Sequence, residues 1–225
     1  RFGSEKQYGN FWSLGGSWNA DREEYISDIQ WISQLKVRAS YGVNGNANIG
    51  NNAWRNLYGY TRTGYNFVYN GAIGSGPSQY GVNTLTWEKT NSYDIGVDFG
   101  LFDNRLTSTI EYYRRQSDDL LLSVPVSYTT GFPSYVNNFG GMENKGWEFS
   151  LAGTPIRTED FQWTLNFNIS LNKNKITNLV IDKSVANPFI RQVGENYQSY
   201  YLPQYAGVNT DTGLPQWYKD ASRTE

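Results

Sequence analysis

The sequence of 225 residues contains no cysteine and no histidine. Catalysis by a thiol or by a serine–histidine pair, and metal binding through imidazole or thiolate, are therefore excluded for this chain. No pair of carboxylates and no glycine-rich phosphate loop stands out among the remaining residues. We expect no catalytic residue, no metal site and no cofactor, and we expect that the chain is not an enzyme. The lack of cysteine does not identify the cellular compartment, because a protein of an oxidising compartment can also lack cysteine.

Charged residues are also scarce, at 18% of the chain, and the net charge is −2. We expect no nucleic-acid partner, because a phosphate-binding surface needs a concentrated positive field. No apolar run approaches the ~20 residues of a membrane-spanning helix, and the N-terminus RFGSEKQYGN lacks the form of a signal peptide. A transmembrane helix is excluded, but a transmembrane barrel is not, because barrel strands turn half their residues to a polar lumen.

Aromatic residues make up 16% of the chain, and the sequence alternates strictly between apolar and polar residues in several stretches. In the stretch 161–171, every second residue is apolar and the residues between them are uncharged and polar. Successive side chains of a strand point to opposite faces, so this stretch is one strand with an apolar and a polar side. Shorter stretches with the same alternation are 35–43, 93–101, 106–112 and 147–152.

Turn signals predict how these strands are connected. Asp103-Asn104 and residues 157–160 predict short turns, whereas 44–86 and 124–144 are long segments rich in Gly, Asn, Tyr and Pro. Alternating short and long connections place all short turns at one end of a sheet and all long loops at the other. Outer-membrane barrels are built in this way. The predicted fold is all-β, an antiparallel meander of long strands in one curved sheet without a second layer.

Alternation alone does not separate a lipid-facing strand from the core strand of a soluble sandwich. Three features favour lipid. The stretch 161–171 is as long as the ~9–11 residues that a tilted strand needs to cross a bilayer. Aromatic residues lie toward the ends of apolar faces, as in membrane-interface girdles, and the opposite faces carry amides, hydroxyls and charges of both signs. These aromatic residues are Trp12, Trp18, Tyr93, Trp147, Phe161 and Trp163.

The predicted sheet has two chemically different faces. The convex, lipid-facing side is expected to carry Leu35, Val37, Tyr41, Ile95, Val97, Phe99, Ile110, Phe149, Leu165, Phe167 and Ile169. The concave, lumen-facing side is expected to carry Lys36, Arg38, Asp94, Asp98, Glu111, Arg115, Glu148, Asn166 and Asn168. The lumen-facing charges either mark a polar path or pair with one another or with a plug domain.

Near the N-terminus, Asp21 and Glu24 form a variant capping box before isoleucines at 26, 29 and 32, which predicts either a short helix or an irregular turn.

The stretch LTWEKTNSYDIGVDFGLFDNRLTSTIEYYRRQSDDLLL (85–122) resembles TonB-dependent outer-membrane transporters, in which a Trp-Glu pair precedes an inward strand, a tight turn and an outward strand. VPVSYTTGFPSYVNNFGGMENKGWEFSL (124–151) is similar to the SusC/RagA branch of that superfamily, as are residues 35–50 and 205–218. The matching residues in the middle of the chain are Asn138, Gly140, Gly141, Met142, Asn144, Lys145, Gly146, Trp147 and Glu148.

This resemblance implies a barrel of about 22 strands in the outer membrane of a Gram-negative bacterium, with an N-terminal plug domain and a TonB box. It also implies a SusD-like surface lipoprotein as partner and TonB-driven uptake of oligosaccharides or peptides. Neither a plug, a TonB box nor a closing strand is recognisable here. We therefore expect residues 1–225 to form one partial barrel domain, roughly a third of the whole.

The long loop after the second predicted strand carries the candidate binding residues. Its rings either contact substrate or pack on one another to hold the loop in shape; they are Trp54, Tyr58, Tyr60, Tyr65 and Tyr69. A weaker signal, the NTDTG sequence at Asn209 to Gly213, predicts a turn rather than a calcium loop because the acidic closing ligand is not at its spacing.

The rival hypothesis for the whole chain is a soluble carbohydrate-binding β-protein that uses the loop aromatics as its ligand platform.

Overall fold

The computed structural model describes residues 2–3, 6–62 and 65–219, without the side chains of residues 62 and 65. Its main feature is one antiparallel sheet of six strands that follow one another in chain order. The strands are β1 (Trp12–Asn19), β2 (Ile32–Asn46), β3 (Glu88–Leu101), β4 (Leu106–Pro125), β5 (Ser134–Arg157) and β6 (Gln162–Asn178). The predicted antiparallel meander is therefore confirmed.

The strands of this sheet are long. β4 has 20 residues and β5 has 24, whereas strands of ordinary globular proteins have ~5–6. The strand predicted over 161–171 runs on to Asn178. Aromatic and β-branched residues at every second position favour extended backbone over this length, because their side chains pack against the facing residues of the neighbouring strands.

The remaining elements are short. The helical ones are two 3₁₀ turns, Ala20–Arg22 and Tyr128–Thr130, and the α-helical turn Glu24–Ser27. No helix in the described ranges is long and apolar enough to cross a membrane. The short strands pair as Leu57–Gly59 with Gly76–Gln79, Thr61–Arg62 with Tyr65–Asn66, Val68–Tyr69 with Ala72–Ile73, Lys183–Ala186 with Phe189–Gln192 and then Ser199–Tyr200, and Tyr205–Val208 with Pro215–Trp217.

The helix expected near Asp21 is only one α-helical turn of four residues. Asp21 does not act as its cap: the Asp21 carboxylate accepts a hydrogen bond from the Leu35 backbone N at 3.3 Å. The last of the three isoleucines, Ile32, already begins strand β2. The connection between β1 and β2 is therefore mainly an irregular turn that is fastened to the strand it precedes.

The connections lie at the two ends of the sheet as predicted. The short-turn end carries residues 20–31, 102–105 and 158–161, and the long-loop end carries 47–87 and 126–133. The expectation of a long loop over 124–144 is wrong, because β5 begins at Ser134. Its Gly and Asn residues indicated a loop, but Gly140 and Gly141 lie in extended backbone.

The spaces beside these two glycines are filled by neighbouring side chains. A Cβ at position 140 would lie 2.7 Å from Leu122 Cδ1, and one at position 141 would lie 2.5 Å from Thr177 Oγ1. Glycine at these positions therefore allows close packing between strands rather than loop flexibility.

The β4–β5 ladder contains two register shifts that cancel. Ser117 pairs with Met142 before the shifts and Leu121 pairs with Asn138 after them, which is the same register. The unpaired Asp119 has φ of 57°, in the left-handed region. The two strands therefore continue toward the long-loop end with their original alignment.

No second layer covers the main sheet in the described part of the chain. Leu165, Phe167 and Ile169 are 51%, 59% and 43% exposed. The apolar residues that are buried are few and lie mostly near the ends of the sheet; they are Phe2, Ala20, Leu85, Ile176 and Ile190. The soluble-sandwich alternative, in which a second sheet of the chain would cover the apolar residues of β6, is not what the structure shows.

Candidate functional site

Cross-strand register places the apolar residues of all six strands on one side of the sheet, here called the apolar face. One row across the sheet is Trp18, Val37, Val97, Ile110, Phe149 and Ile169. The expected apolar residues Leu35, Tyr41, Ile95, Phe99, Leu165 and Phe167 lie in neighbouring rows of the same face. Ser108 also lies on this face, and its hydroxyl donates to the Ser150 carbonyl oxygen at 2.7 Å, which satisfies the polar group.

The opposite side, here called the polar face, carries every charged or amide residue that the sequence assigned to it. Directly facing residues share a side, and the register gives the rows Lys36–Asp98–Thr109–Ser150–Asn168 and Arg38–Gly96–Glu111–Glu148–Ser170. Asp94 on β3, Arg115 on β4 and Asn166 on β6 lie in further rows of the same face. The residues predicted to share a face therefore do so, and their position toward a lumen stays a prediction.

Arg38 is the centre of a small ionic network on the polar face. Its Nη2 donates to Glu111 Oε2 at 2.6 Å, and its Nε donates to Asp98 Oδ2 at 3.3 Å. The Thr109 hydroxyl donates to the other Asp98 oxygen at 2.9 Å. Three strands are joined in this way, since Arg38 lies on β2, Asp98 on β3 and Glu111 on β4.

The other polar-face charges are less paired. Glu111 and Glu148 face each other directly across β4 and β5, an arrangement that is unfavourable between like charges. Lys36, Asp94 and Glu148 form no ion pair with other described residues. Mutual pairing thus accounts for Arg38, Asp98 and Glu111, and it leaves Lys36, Asp94 and Glu148 on the same face without an ion-pair partner among the described residues.

Tyr113 covers a glycine of the neighbouring strand on the polar face. The Tyr113 hydroxyl donates to Asn172 Oδ1 at 3.0 Å, so the ring crosses strand β5 at Gly146. A Cβ at position 146 would lie 2.5 Å from the Leu171 carbonyl oxygen and 2.8 Å from the Tyr113 hydroxyl oxygen. Arg115 extends the same cluster, with its Cζ 5.3 Å from the Tyr113 ring centroid.

The predicted loop aromatics lie at the long-loop end and are largely exposed. Tyr58, Tyr60 and Tyr69 are 72%, 69% and 86% exposed, whereas Trp54 is partly buried, with Arg55 Cζ 4.7 Å from its ring centroid. Tyr65 was predicted with them, but its side chain lies outside the described part of the structure. Among the described rings of this set there is no ring–ring contact.

Another tyrosine, Tyr80, joins the two long connections. Its ring centroid lies 5.6 Å from that of Phe132 and 5.2 Å from that of Tyr135. These residues border a cavity of about 380 Å³ that also contacts Ala53 and Gln79. Sequence reasoning missed this cavity because 126–133 was not separated from the strand that follows it.

Asn138 fixes the end of the 47–87 connection. Its amide nitrogen donates to the Thr86 and Asp119 carbonyl oxygens, both at 2.8 Å, and its amide oxygen accepts from the Thr86 N–H at 2.8 Å. One side chain therefore satisfies both backbone groups of Thr86 and one of the bulged Asp119. Asn138 is one of the residues that carry the family resemblance of the sequence, but its role depends on strand pairing that no local sequence pattern reveals.

The described residues contain no group of His, Cys, Asp or Glu side chains that would hold a metal ion. At the predicted NTDTG turn, Asn209 Oδ1 accepts from the backbone N–H groups of Asp211 and Thr212, at 2.9 and 3.0 Å. This side chain closes the turn between two short strands, and the turn interpretation of the sequence is confirmed.

Comparison with known proteins agrees with this geometry. The family model described as "TonB dependent receptor-like, beta-barrel" matches residues 1–219. The chain is 36% identical to TonB-dependent receptor P39 of Formosa agariphila over 92% of its length and 38% identical to TonB-dependent receptor SusC of Bacteroides thetaiotaomicron over 80%. It spans about a fifth of the length of these curated relatives, 20% and 18%.

Solved structures of a transporter are similar to this chain as well. The structure of the RagAB peptide importer in its closed-closed state matches with a TM-score of 0.85 and 32% identity. The match covers 100% of this chain and 25% of the other. The open-open state of the same importer matches with a TM-score of 0.86.

Proposed function

Because the chain belongs to the TonB-dependent receptor β-barrel family, we propose that its sheet is a sector of the wall of an outer-membrane transporter. The complete wall would have about 22 strands, as in the largest plugged barrels. The six long strands would supply roughly a quarter of it. In this proposal the protein is a transporter and not an enzyme.

The uncovered apolar face is the observation that carries this proposal. On β6 its residues run from Trp163 to Leu171, which at ~3.3 Å per residue is about 26 Å along the strand. At the tilt of ~40° that is usual for such barrels, this length covers roughly 20 Å of membrane thickness, close to a lipid-facing band of ~25 Å. A soluble monomer rarely exposes an apolar patch larger than a few hundred Å².

The polar face would line the lumen of the barrel. Water or a plug domain solvates charges there, whereas lipid does not. The carboxylates left without partners on this face, Asp94 and Glu148, would meet a plug domain or transported solute. The long-loop end would then be extracellular and the short-turn end periplasmic, as is usual for barrels of this type.

The extracellular end supplies the elements for capture of substrate. The exposed rings of Tyr58, Tyr60 and Tyr69 offer flat surfaces that suit sugar faces or peptide side chains. We propose import of oligosaccharides or peptides, with a SusD-like surface lipoprotein closing over this end. Energy would come from TonB acting through a plug domain that lies in the remaining part of the whole protein.

The test replaces lipid-facing residues with arginine in the full-length protein. Val97 and Phe167 lie midway along the apolar stretches of β3 and β6, where an arginine costs ~2–4 kcal/mol in lipid. Val97→Arg and Phe167→Arg should each reduce outer-membrane assembly, measured by fractionation and by the heat-dependent mobility of the folded barrel. Trp163→Arg, at the end of the same stretch, should be milder, because the cost falls to ~0–1 kcal/mol near the interface.

Matched controls lie one residue away on the other face. Asp98→Asn and Asn168→Gln should assemble like the parent, because these side chains face water. Arginine variants that assemble as well as the parent would show that the apolar face does not contact lipid, and the barrel proposal would be wrong. Co-purification of the native protein with a surface lipoprotein tests the partner separately.

A further inference from the structure

We propose that the apolar face carries, immediately beyond its extracellular border, a binding site for the phosphate groups of the outer-leaflet glycolipid. The site comprises Arg114, Lys145, Lys173 and Lys175, with Glu143 between them, and is here called the basic border patch. This inference rests on the proposed function, because it requires that the apolar face contacts lipid and that the long-loop end is extracellular.

Register places the patch on three neighbouring strands. Arg114, Lys145 and Lys173 face one another directly across β4, β5 and β6, and the next row toward the loops contains Glu143 and Lys175. Neighbouring strands are ~4.8 Å apart, so the backbone positions of the three basic residues in the first row lie within about 10 Å. A single phosphorylated headgroup is large enough to contact more than one of them.

The patch begins where the apolar stretch ends on each of these strands. The preceding row of the same face is Tyr112, Trp147 and Leu171, and the Tyr112 and Trp147 ring centroids are 5.0 Å apart. Trp and Tyr rings at the end of a lipid-facing stretch mark the level of the lipid headgroups. Cations one step beyond such rings are therefore placed at the depth of headgroup phosphates.

Glu143 organises part of the patch without neutralising it. This carboxylate is 8% exposed and contacts Arg114 Nη2 at 2.6 Å and Lys145 Nζ at 3.1 Å. Lys173 and Lys175 are exposed and form no ion pair within the described ranges. The patch therefore contains four cations and one carboxylate, and two of the four cations form no ion pair with the described residues.

The arrangement places like charges opposite one another, and a bound anion would reduce their repulsion. Like charges that face each other directly across a sheet destabilise it, and Lys145 and Lys173 are such a pair. Elsewhere on the face the charges balance, since Lys89 on β3 lies opposite Asp118 on β4. The surplus is thus confined to β4, β5 and β6, in a chain with a net charge of −2. A phosphate at this position would compensate it.

The test measures binding of lipid A, a phosphorylated outer-leaflet glycolipid, to the full-length protein purified in neutral detergent. Native mass spectrometry counts bound lipid during titration with lipid A or with the same lipid after removal of its phosphates. The parent should bind the phosphorylated form more tightly. The Lys173→Gln/Lys175→Gln variant should bind it roughly 10- to 30-fold more weakly, as expected for two basic residues at an anionic surface.

Two control variants separate charge from position. Lys173→Arg/Lys175→Arg keeps the charge and should retain binding. Arg105→Gln removes a cation from the turn at the other end of the sheet and should also retain binding. Because Lys173 and Lys175 have no ion pair to lose, their glutamine variants should assemble like the parent.

Three results would overturn the inference: equal binding of both lipid forms by the parent, unchanged binding by the double glutamine variant, or an equal loss in Arg105→Gln. Displacement of lipid A by inorganic phosphate at the same concentration would identify free phosphate as the ligand and reject the lipid assignment. These results leave the barrel proposal intact, whereas normal assembly of Val97→Arg would reject that proposal without any lipid measurement.

Discussion

Arg38 on strand β2 reaches across strand β3 to Glu111 on β4, with 2.6 Å between Arg38 Nη2 and Glu111 Oε2. The residue that lies between them in the register is Gly96, and a Cβ there would be 2.8 Å from Arg38 Cζ. The lack of a side chain at position 96 is therefore what allows an ion pair between strands that are not adjacent.

Gly96→Ala should displace the Arg38 guanidinium and weaken its bond to Glu111. We expect the free energy of unfolding to fall by about 1 kcal/mol, the usual contribution of a partly exposed charge-assisted hydrogen bond. Denaturant unfolding of the full-length protein in detergent would measure it. Gly16→Ala is the control, because no atom of the described residues lies within 4 Å of a Cβ at that position.

A double-mutant cycle separates the weakened Arg38–Glu111 bond from other consequences of replacing Gly96. If Gly96→Ala acts through Arg38, then Arg38→Gln should cost clearly less in the Gly96→Ala background than in the parent. Full additivity of the two changes would contradict the explanation.

Gly146→Ala should be more damaging than Gly96→Ala. The Cβ at position 146 meets a backbone atom, the Leu171 carbonyl oxygen at 2.5 Å, which cannot move without disturbing the β5–β6 ladder. We expect a loss of about 1–3 kcal/mol, as for other overpacked positions. Tyr113→Phe, which removes only the hydrogen bond to Asn172, should cost about 1 kcal/mol or less. A Gly146→Ala variant that unfolds no more easily than Gly96→Ala would show that the backbone of the β5–β6 ladder yields at position 146.

Asn138→Ala should release the end of the 47–87 connection while leaving the sheet folded. Three hydrogen bonds of 2.8 Å to Thr86 and Asp119 are lost together. Hydrogen exchange of the Thr86 amide and proteolysis within 47–87 should both become faster. Asn137→Ala is the control, because the Asn137 side chain forms no hydrogen bond with the described residues. Equal protection of Thr86 in both variants would contradict the anchoring role.

Replacement of Tyr58, Tyr60 and Tyr69 together with alanine should reduce substrate uptake by about tenfold without changing assembly, because exposed rings dominate the energy of many binding surfaces. Uptake of oligosaccharide and peptide mixtures by cells that carry the full-length variant would measure it. Tyr128→Ala is the control, since Tyr128 is 83% exposed on the other long-loop connection. Unchanged uptake in the triple variant would remove these residues from the substrate site.

The faces of the sheet were predictable because their signal has a period of two along a single strand. Val97 and Asp98 are assigned to opposite sides by sequence position alone, and the register then only has to preserve that assignment. The short turn at Asp103-Asn104 was equally local, and both of its residues adopt positive φ.

Features that depend on contacts between distant residues were not predictable. Gly140 and Gly141 indicated a loop, since nothing near them in the sequence reveals that Leu122 and Thr177 fill the space of their absent side chains. The contact of Tyr80 with Phe132 joins residues 52 positions apart in the chain, and Asn138 reaches Thr86 over the same separation. Such contacts follow from how strands align, which the local pattern does not specify.

The two cancelling register shifts near Asp119 determine where the wall can gain or lose residues. A one-residue deletion between Leu106 and Ser117 would move every later side chain of that strand stretch to the opposite face of the sheet. At Asp119 strand β4 already has one residue more than β5 between the paired positions, and the second shift, between Leu120 and Leu121, restores the alignment. A single-residue change in strand length is therefore absorbed most easily at this point, where it leaves the alternation of residues 106–117 unchanged.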